Sequence, residues 1–132
     1  MKQITEDYVS FETAKLLKEN GFDEPCIGFY NPIDGCFFES SIRKSWDYDR
    51  HGSISAPTHQ MALKWLRLCY DIVIDISPNL TLNDVCKGSF MTEIYQYGHI
   101  VPEGEFGCNV GDDYTYEQAV EAAIRYCLEN LI

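Results

Sequence analysis

YTYEQAVEAAIRYCLENLI, Tyr114 to Ile132, closes the chain, and its reading decides what kind of object this is. Thr115 supplies an N-cap hydroxyl, and Gln118 three residues later completes a capping box. Ala119, Val120, Ala123, Ile124, Cys127, Leu128 and Leu131 then recur at helical spacing and form one apolar stripe. Glu117, Glu121, Arg125 and Glu129 fall every fourth residue on another face, where Glu121 before Arg125 is a favourable pair. The segment is an amphipathic helix built to lie on an apolar surface. The clearest strand of the chain stands further back. In Asp71-Ile72-Val73-Ile74-Asp75-Ile76 the isoleucines share one face, while Asp71, Val73 and Asp75 share the other. That alternation suits a sheet with one buried and one wet side.

Working outward, Ser10 caps a helix over Phe11 to Glu19, with Phe11, Ala14, Leu17 and Leu16 facing inward and Asn20-Gly21 as a left-handed stop. Cys26 to Tyr30 and Cys36 to Glu39 read as hairpin strands around the turn Asn31-Pro32-Ile33-Asp34-Gly35. Residues 40 to 56 show no period and read as a loop. A second helix runs from Thr58 to about Tyr70, with Met61, Leu63, Leu66 and Cys69 apolar and Trp65 at the rim of the stripe. After the isoleucine strand, Ser89 to Tyr97 reads as a long strand and Glu105 to Val110 as a weaker one. The expected order is α-β-β-α-β-β-(β)-α. Short connections make this one α+β domain over residues 1–132, a mostly antiparallel sheet of four to five strands with three helices packed on it. The three helix starts share a hydroxyl cap, an aromatic ring, Glu or Gln, a variable residue and Ala. Duplication of a β-β-α unit and convergent capping chemistry both account for that.

The 132 residues are 45% hydrophobic and 23% charged, values of a globular chain rather than a disordered one. No apolar run reaches the ~18 residues of a membrane span, and the N-terminus lacks the apolar core of a secretion signal, so a cytoplasmic protein is expected. Six cysteines without a C-x-x-C pair, in a reducing compartment, read as free thiols. Ten basic residues against 21 acidic ones give a net charge of −11, which disfavours duplex nucleic acid as a partner.

Chemistry-bearing patterns are sparse. His51, His59 and His99 are too far apart in sequence to announce a zinc site, and no metal or cofactor is expected. A Cys–His nucleophile pair would draw on His59 with Cys36 or Cys108, none of them in a nucleophile motif. Asp71 and Asp75 would stand about 13 Å apart on a strand, too far for a hydrolytic carboxylate pair. Gly104-Glu105-Phe106-Gly107 lacks the lysine of a phosphate-binding loop. No catalytic residue is therefore assigned.

One segment stands apart from the acidic body. Arg43-Lys44-Ser45-Trp46-Asp47-Tyr48-Asp49-Arg50-His51 holds three of the ten basic residues and two of the 21 acidic ones, so the remainder carries 7 against 19. Arginine, tryptophan and tyrosine dominate interface hot spots and also stack on nucleotides. Arg43, Lys44, Trp46, Tyr48, Arg50 and His51 are the candidate partner-binding residues. The alternative is that Trp46 and Tyr48 pack on the sheet while the charges face water. A nucleotide or small-ligand binder would instead need a closed pocket lined by aromatics such as Phe29, Tyr30, Phe37, Tyr95 and Tyr97.

Three stretches also carry a resemblance: Tyr8-Val9-Ser10-Phe11-Glu12-Thr13-Ala14-Lys15-Leu16-Leu17-Lys18-Glu19 with Gly21-Phe22-Asp23; Ser55-Ala56-Pro57-Thr58 with Ala62 and Trp65-Leu66-Arg67; and Tyr116-Glu117, Glu121-Ala122-Ala123-Ile124 and Tyr126 to Ile132. Together they resemble a group of short uncharacterised proteins of phages and prophages of gut bacteria. The resemblance implies a small accessory protein in a bacterial host cell, with a host protein as its expected partner. It assigns no activity and no site residue.

Overall fold

The computed structural model describes residues 4–43, 52–78, 90–101 and 115–132, with backbone alone for 41–43. The chain is α+β, and among the described residues its elements are α1 (Phe11–Glu19), β1 (Cys26–Tyr30), β2 (Phe37–Arg43), β3 (Ile54–Ser55), α2 (His59–Tyr70), β4 (Ile72–Pro78), β5 (Phe90–Gln96), β6 (His99–Ile100) and α3 (Tyr116–Asn130). It divides into two compact units, Met1–Ala62 and Leu63–Ile132, with the boundary inside α2.

The strands form two three-stranded antiparallel sheets, ordered β2-β1-β3 and β4-β5-β6, in place of the expected sheet of four to five strands. Each sheet is assembled from strands adjacent in sequence, and α2 falls between the two sets along the chain. The differing strand orders favour convergent capping over duplication as the reason the helix starts look alike. All three caps form. The backbone N–H groups of Thr13, Met61 and Gln118 donate to the hydroxyls of Ser10, Thr58 and Thr115 at 3.2, 3.2 and 3.1 Å. The Gln118 side chain accepts from the Thr115 N–H at 3.0 Å, completing the expected capping box.

In the N-terminal unit, α1 ends in a Schellman arrangement. Gly21 takes φ +90, its N–H reaches Lys18 O, and Phe22 N–H reaches Leu17 O at 2.9 Å. Leu17 and Phe22 are both buried there, while Phe11 and Leu16 are only half-buried. The expected loop over 40–56 is in part strand. β2 runs on to Arg43, which pairs with Cys26 across a bulge, and β3 pairs with Phe29 and Tyr30. Glu39-Ser40-Ser41-Ile42-Arg43 has no apolar alternation because β1, rather than its own hydrophobicity, organises it. A two-residue strand such as β3 is too short for a pattern to register.

In the C-terminal unit, Ala119, Val120, Ala123, Ile124, Cys127 and Leu128 are buried, as the stripe requires. The α3 helix lies along the even-numbered face of β5. Phe90 meets Tyr116 at 5.6 Å between ring centroids, and Gln96 Nε2 donates to Leu131 O at 3.3 Å. Ile72, Thr92 and Ile94 on that face are buried. The turn Tyr97-Gly98, with φ of 52 and 78, joins β5 to the unexpected β6 as a type I′ hairpin. Asp71 lies outside β4 with φ 54, so the connection from α2 is a single left-handed residue. In α2, Trp65 is buried rather than at a rim, and Cys69 is exposed rather than in the core. Helical period fixes the side on which Cys69 lies, but not how far along the helix its neighbours reach. The weaker strand expected over Glu105–Val110 lies outside the described residues.

Candidate interaction surfaces

The N-terminal unit is built around a close approach at Gly28. A Cβ there would stand 2.8 Å from Ala56 O, 2.8 Å from Tyr8 Cε1 and 2.9 Å from Phe37 Cε2. Its absence lets the Tyr8 ring lie on β1 against Phe37, with centroids 4.7 Å apart. Phe37 continues to Tyr30 at 5.4 Å, and Tyr30 to Phe11 at 5.5 Å. Tyr30 Oη donates to Val9 O at 2.6 Å, which ties the segment before α1 to the sheet. Val9 N–H to Pro57 O and His59 N–H to Asp7 O tie the same segment to the entry of α2.

Beside Tyr8 this arrangement leaves a groove of about 310 Å³, with Pro25, Ile27, Ala56, Pro57 and Met61 among its walls and Glu6, Thr58 and Gln60 among its polar members. No wall residue is basic. Cys26 also lines it, as a buried thiol. Burial pushes its thiol up to about 12, its Sγ donates to Glu24 O at 3.4 Å, and Met61 Sδ lies 3.9 Å away. The Ser55 hydroxyl beside it pulls the thiol's pKa the other way.

Arg43 is the last residue of β2, an outer strand of its sheet, and Lys44, Trp46, Tyr48, Arg50 and His51 lie outside the described residues. Cys36 is exposed, and the Asp34 carboxylate, hydrogen-bonded to the thiol and repelling its charged form, raises its pKa. His59 is buried in the first turn of α2, and Cys108 lies outside the described residues. Four described cysteines, Cys26, Cys36, Cys69 and Cys127, are free thiols. Of the aromatics named for a closed pocket, Phe29 is fully buried against Phe38, Phe37 is partly exposed, and Tyr95 and Tyr97 belong to the other unit. Among the described residues no three His, Cys, Asp or Glu side chains gather into a metal-binding group.

A second surface was only half legible. The face of the C-terminal sheet opposite α3, odd-numbered in β4 and β5, aligns Val73, Tyr95 and Ile100 in one cross-strand row. The next row sets Asp75 directly against Glu93. The alternation in β4 marked Val73 and Asp75 as the wet side. The partners across β4 and β5 depend on a register that no local pattern states, and the β5–β6 turn is a Tyr-Gly pair without the usual Asn-Gly signal.

No protein-family model matches this chain, and no curated protein and no solved structure matches it. No described helix is long and apolar enough to cross a membrane.

Proposed function

We propose that this chain is a non-enzymatic protein-binding module, an accessory protein of the phage and prophage type that engages a host factor through its N-terminal unit. The observation that carries the reading is the groove beside Tyr8: apolar walls, one acidic side chain, no basic group for a phosphate, and a thiol held protonated. Such a groove suits an apolar side chain of a protein partner better than a nucleotide or a reacting substrate. The outer strand β2 leads from the same sheet to Arg43, the first of the aromatic-basic candidates, so strand and segment supply one continuous stretch of chain. The phage setting and the cytoplasm of a bacterial host rest on the resemblance in sequence.

Affinity capture of the tagged protein from host lysate, with and without nuclease, tests the reading. A host protein retained in stoichiometric amount after nuclease is expected. It should be lost with Ile27→Asp in the groove and with the joint replacement of Arg43, Trp46, Tyr48 and Arg50 by alanine, each verified as folded by circular dichroism. Retention on both folded variants would reject this surface.

A further inference from the structure

The two faces of the C-terminal sheet are treated unequally. The even-numbered face is covered by α3, as the Phe90–Tyr116 and Gln96–Leu131 contacts show. On the opposite face Val73 and Ile100, flanking Tyr95 in one row, are 44% and 46% exposed, and Tyr97 beyond them is 67% exposed. The adjoining row holds Asp75 opposite Glu93. Directly opposed residues place their Cβ atoms about 4.5–5.5 Å apart, and like charges there oppose each other. Tyr95 Oη donates to Glu93 Oε2 at 2.6 Å, which fixes that carboxylate but adds no positive charge. Neither acid has a cationic partner among the described residues. An exposed apolar row beside an acid pair with no cation among the described residues is an arrangement that a partner with the complementary pattern would relieve.

We propose that this face docks an amphipathic helix of a partner protein, with an arginine seated between Asp75 and Glu93 and an aliphatic side chain one turn away on Val73 and Ile100. The cation follows from the two carboxylates. Arginine is favoured because its planar fork can bond both acids, which a point-like ammonium does less well. The helix follows from spacing and precedent. The two rows lie two residues apart along the strands, about 7 Å. Residues i and i+4 of a helix are about 6 Å apart along its axis, and the sheet already packs one helix on its other face. This surface belongs to the C-terminal unit and the groove to the N-terminal one, and the inference stands whether or not that groove binds.

The test is panning of a peptide library, randomised along one face of a helical scaffold, on the full chain. The selected peptides are then titrated by fluorescence anisotropy against wild type and Asp75→Asn/Glu93→Gln. The expected selection shares an arginine with an aliphatic residue three or four positions away. Its members should bind the double variant at least tenfold more weakly and lose affinity as salt is raised. Because the variant removes a repulsion, its own Tm should rise by about 1–4 °C. That separates lost recognition from lost folding. A selection without a shared arginine, or equal affinity for both proteins, would overturn the proposal. A fall in the Tm of the variant would overturn its premise.

Discussion

Gly28→Ala asks the most of the N-terminal unit. The added methyl would meet three atoms below 3.0 Å. Two of them, Tyr8 Cε1 and Phe37 Cε2, belong to rings that can tilt. The third, Ala56 O, is backbone, and Ala56 N–H is itself bonded to Gly28 O at 2.8 Å, so the two chains cannot simply separate. Overpacking of this kind costs about 1–3 kcal/mol, and the backbone contact puts the strain at the upper end. Restricting the unfolded chain by replacing glycine returns about 0.4–1 kcal/mol. The net is a destabilisation of about 2 kcal/mol, or a Tm lower by about 6–10 °C in a chain of this size. Urea unfolding followed by far-UV circular dichroism, with near-UV bands reporting the rings, measures it directly. Tyr8→Ala in the Gly28→Ala background should recover part of the loss, because it removes one of the three contacts, and the two changes should be non-additive. A Gly28→Ala protein within about 0.5 kcal/mol of wild type would refute the close packing of Tyr8, Phe37 and β3 on β1.

Tyr97 takes a left-handed conformation that asparagine adopts more readily, so Tyr97→Asn should raise stability by about 0.5–1 kcal/mol in thermal melts. Cys26 and Cys127 are held as neutral thiols near 12, whereas the unfolded chain ionises them near its ordinary value of about 8.5. Their contribution to stability is therefore complete below pH 8.5 and drains away as the pH climbs toward 12. Replacing both with alanine should flatten the alkaline limb of a stability–pH curve. Asp34→Asn removes the group that raises the pKa of exposed Cys36, and iodoacetamide labelling of that thiol at pH 8, read by peptide mass spectrometry, should accelerate severalfold.

Helices were the legible part of this sequence. Ser10, Thr58 and Thr115 mark their starts by a mechanism confined to four consecutive residues, and the buried stripe of α3 repeats often enough to be unambiguous. The strands divided by length and by what organises them. Ile72 to Ile76 alternates and reads correctly, whereas the far end of β2 and the whole of β3 owe their conformation to β1, a partner that lies elsewhere in sequence. The sheet count failed for the same reason. Local turns say that neighbouring strands pair, but nothing local says that pairing stops on either side of α2. Of the surfaces, the wet side of β4 could be read from Val73 and Asp75. Asp75 facing Glu93 required a register, and the groove beside Tyr8 required knowing that Gly28 gives up its side chain to let a ring in.

The hydrogen bond from Tyr97 N–H to Asp71 O joins two left-handed residues at one end of the β4–β5 ladder. Handedness at both positions acts as a stop against sliding, because a slipped pairing would require right-handed residues to take the left-handed places. A shift by one residue would also send Ile72, Ile74 and Ile76 to the side opposite α3. The length of this hairpin is therefore a matter of parity. Its strands can gain or lose two residues and keep the same faces, but an insertion or deletion of one turns the sheet inside out, and lineages of this chain should record that rule in their gaps.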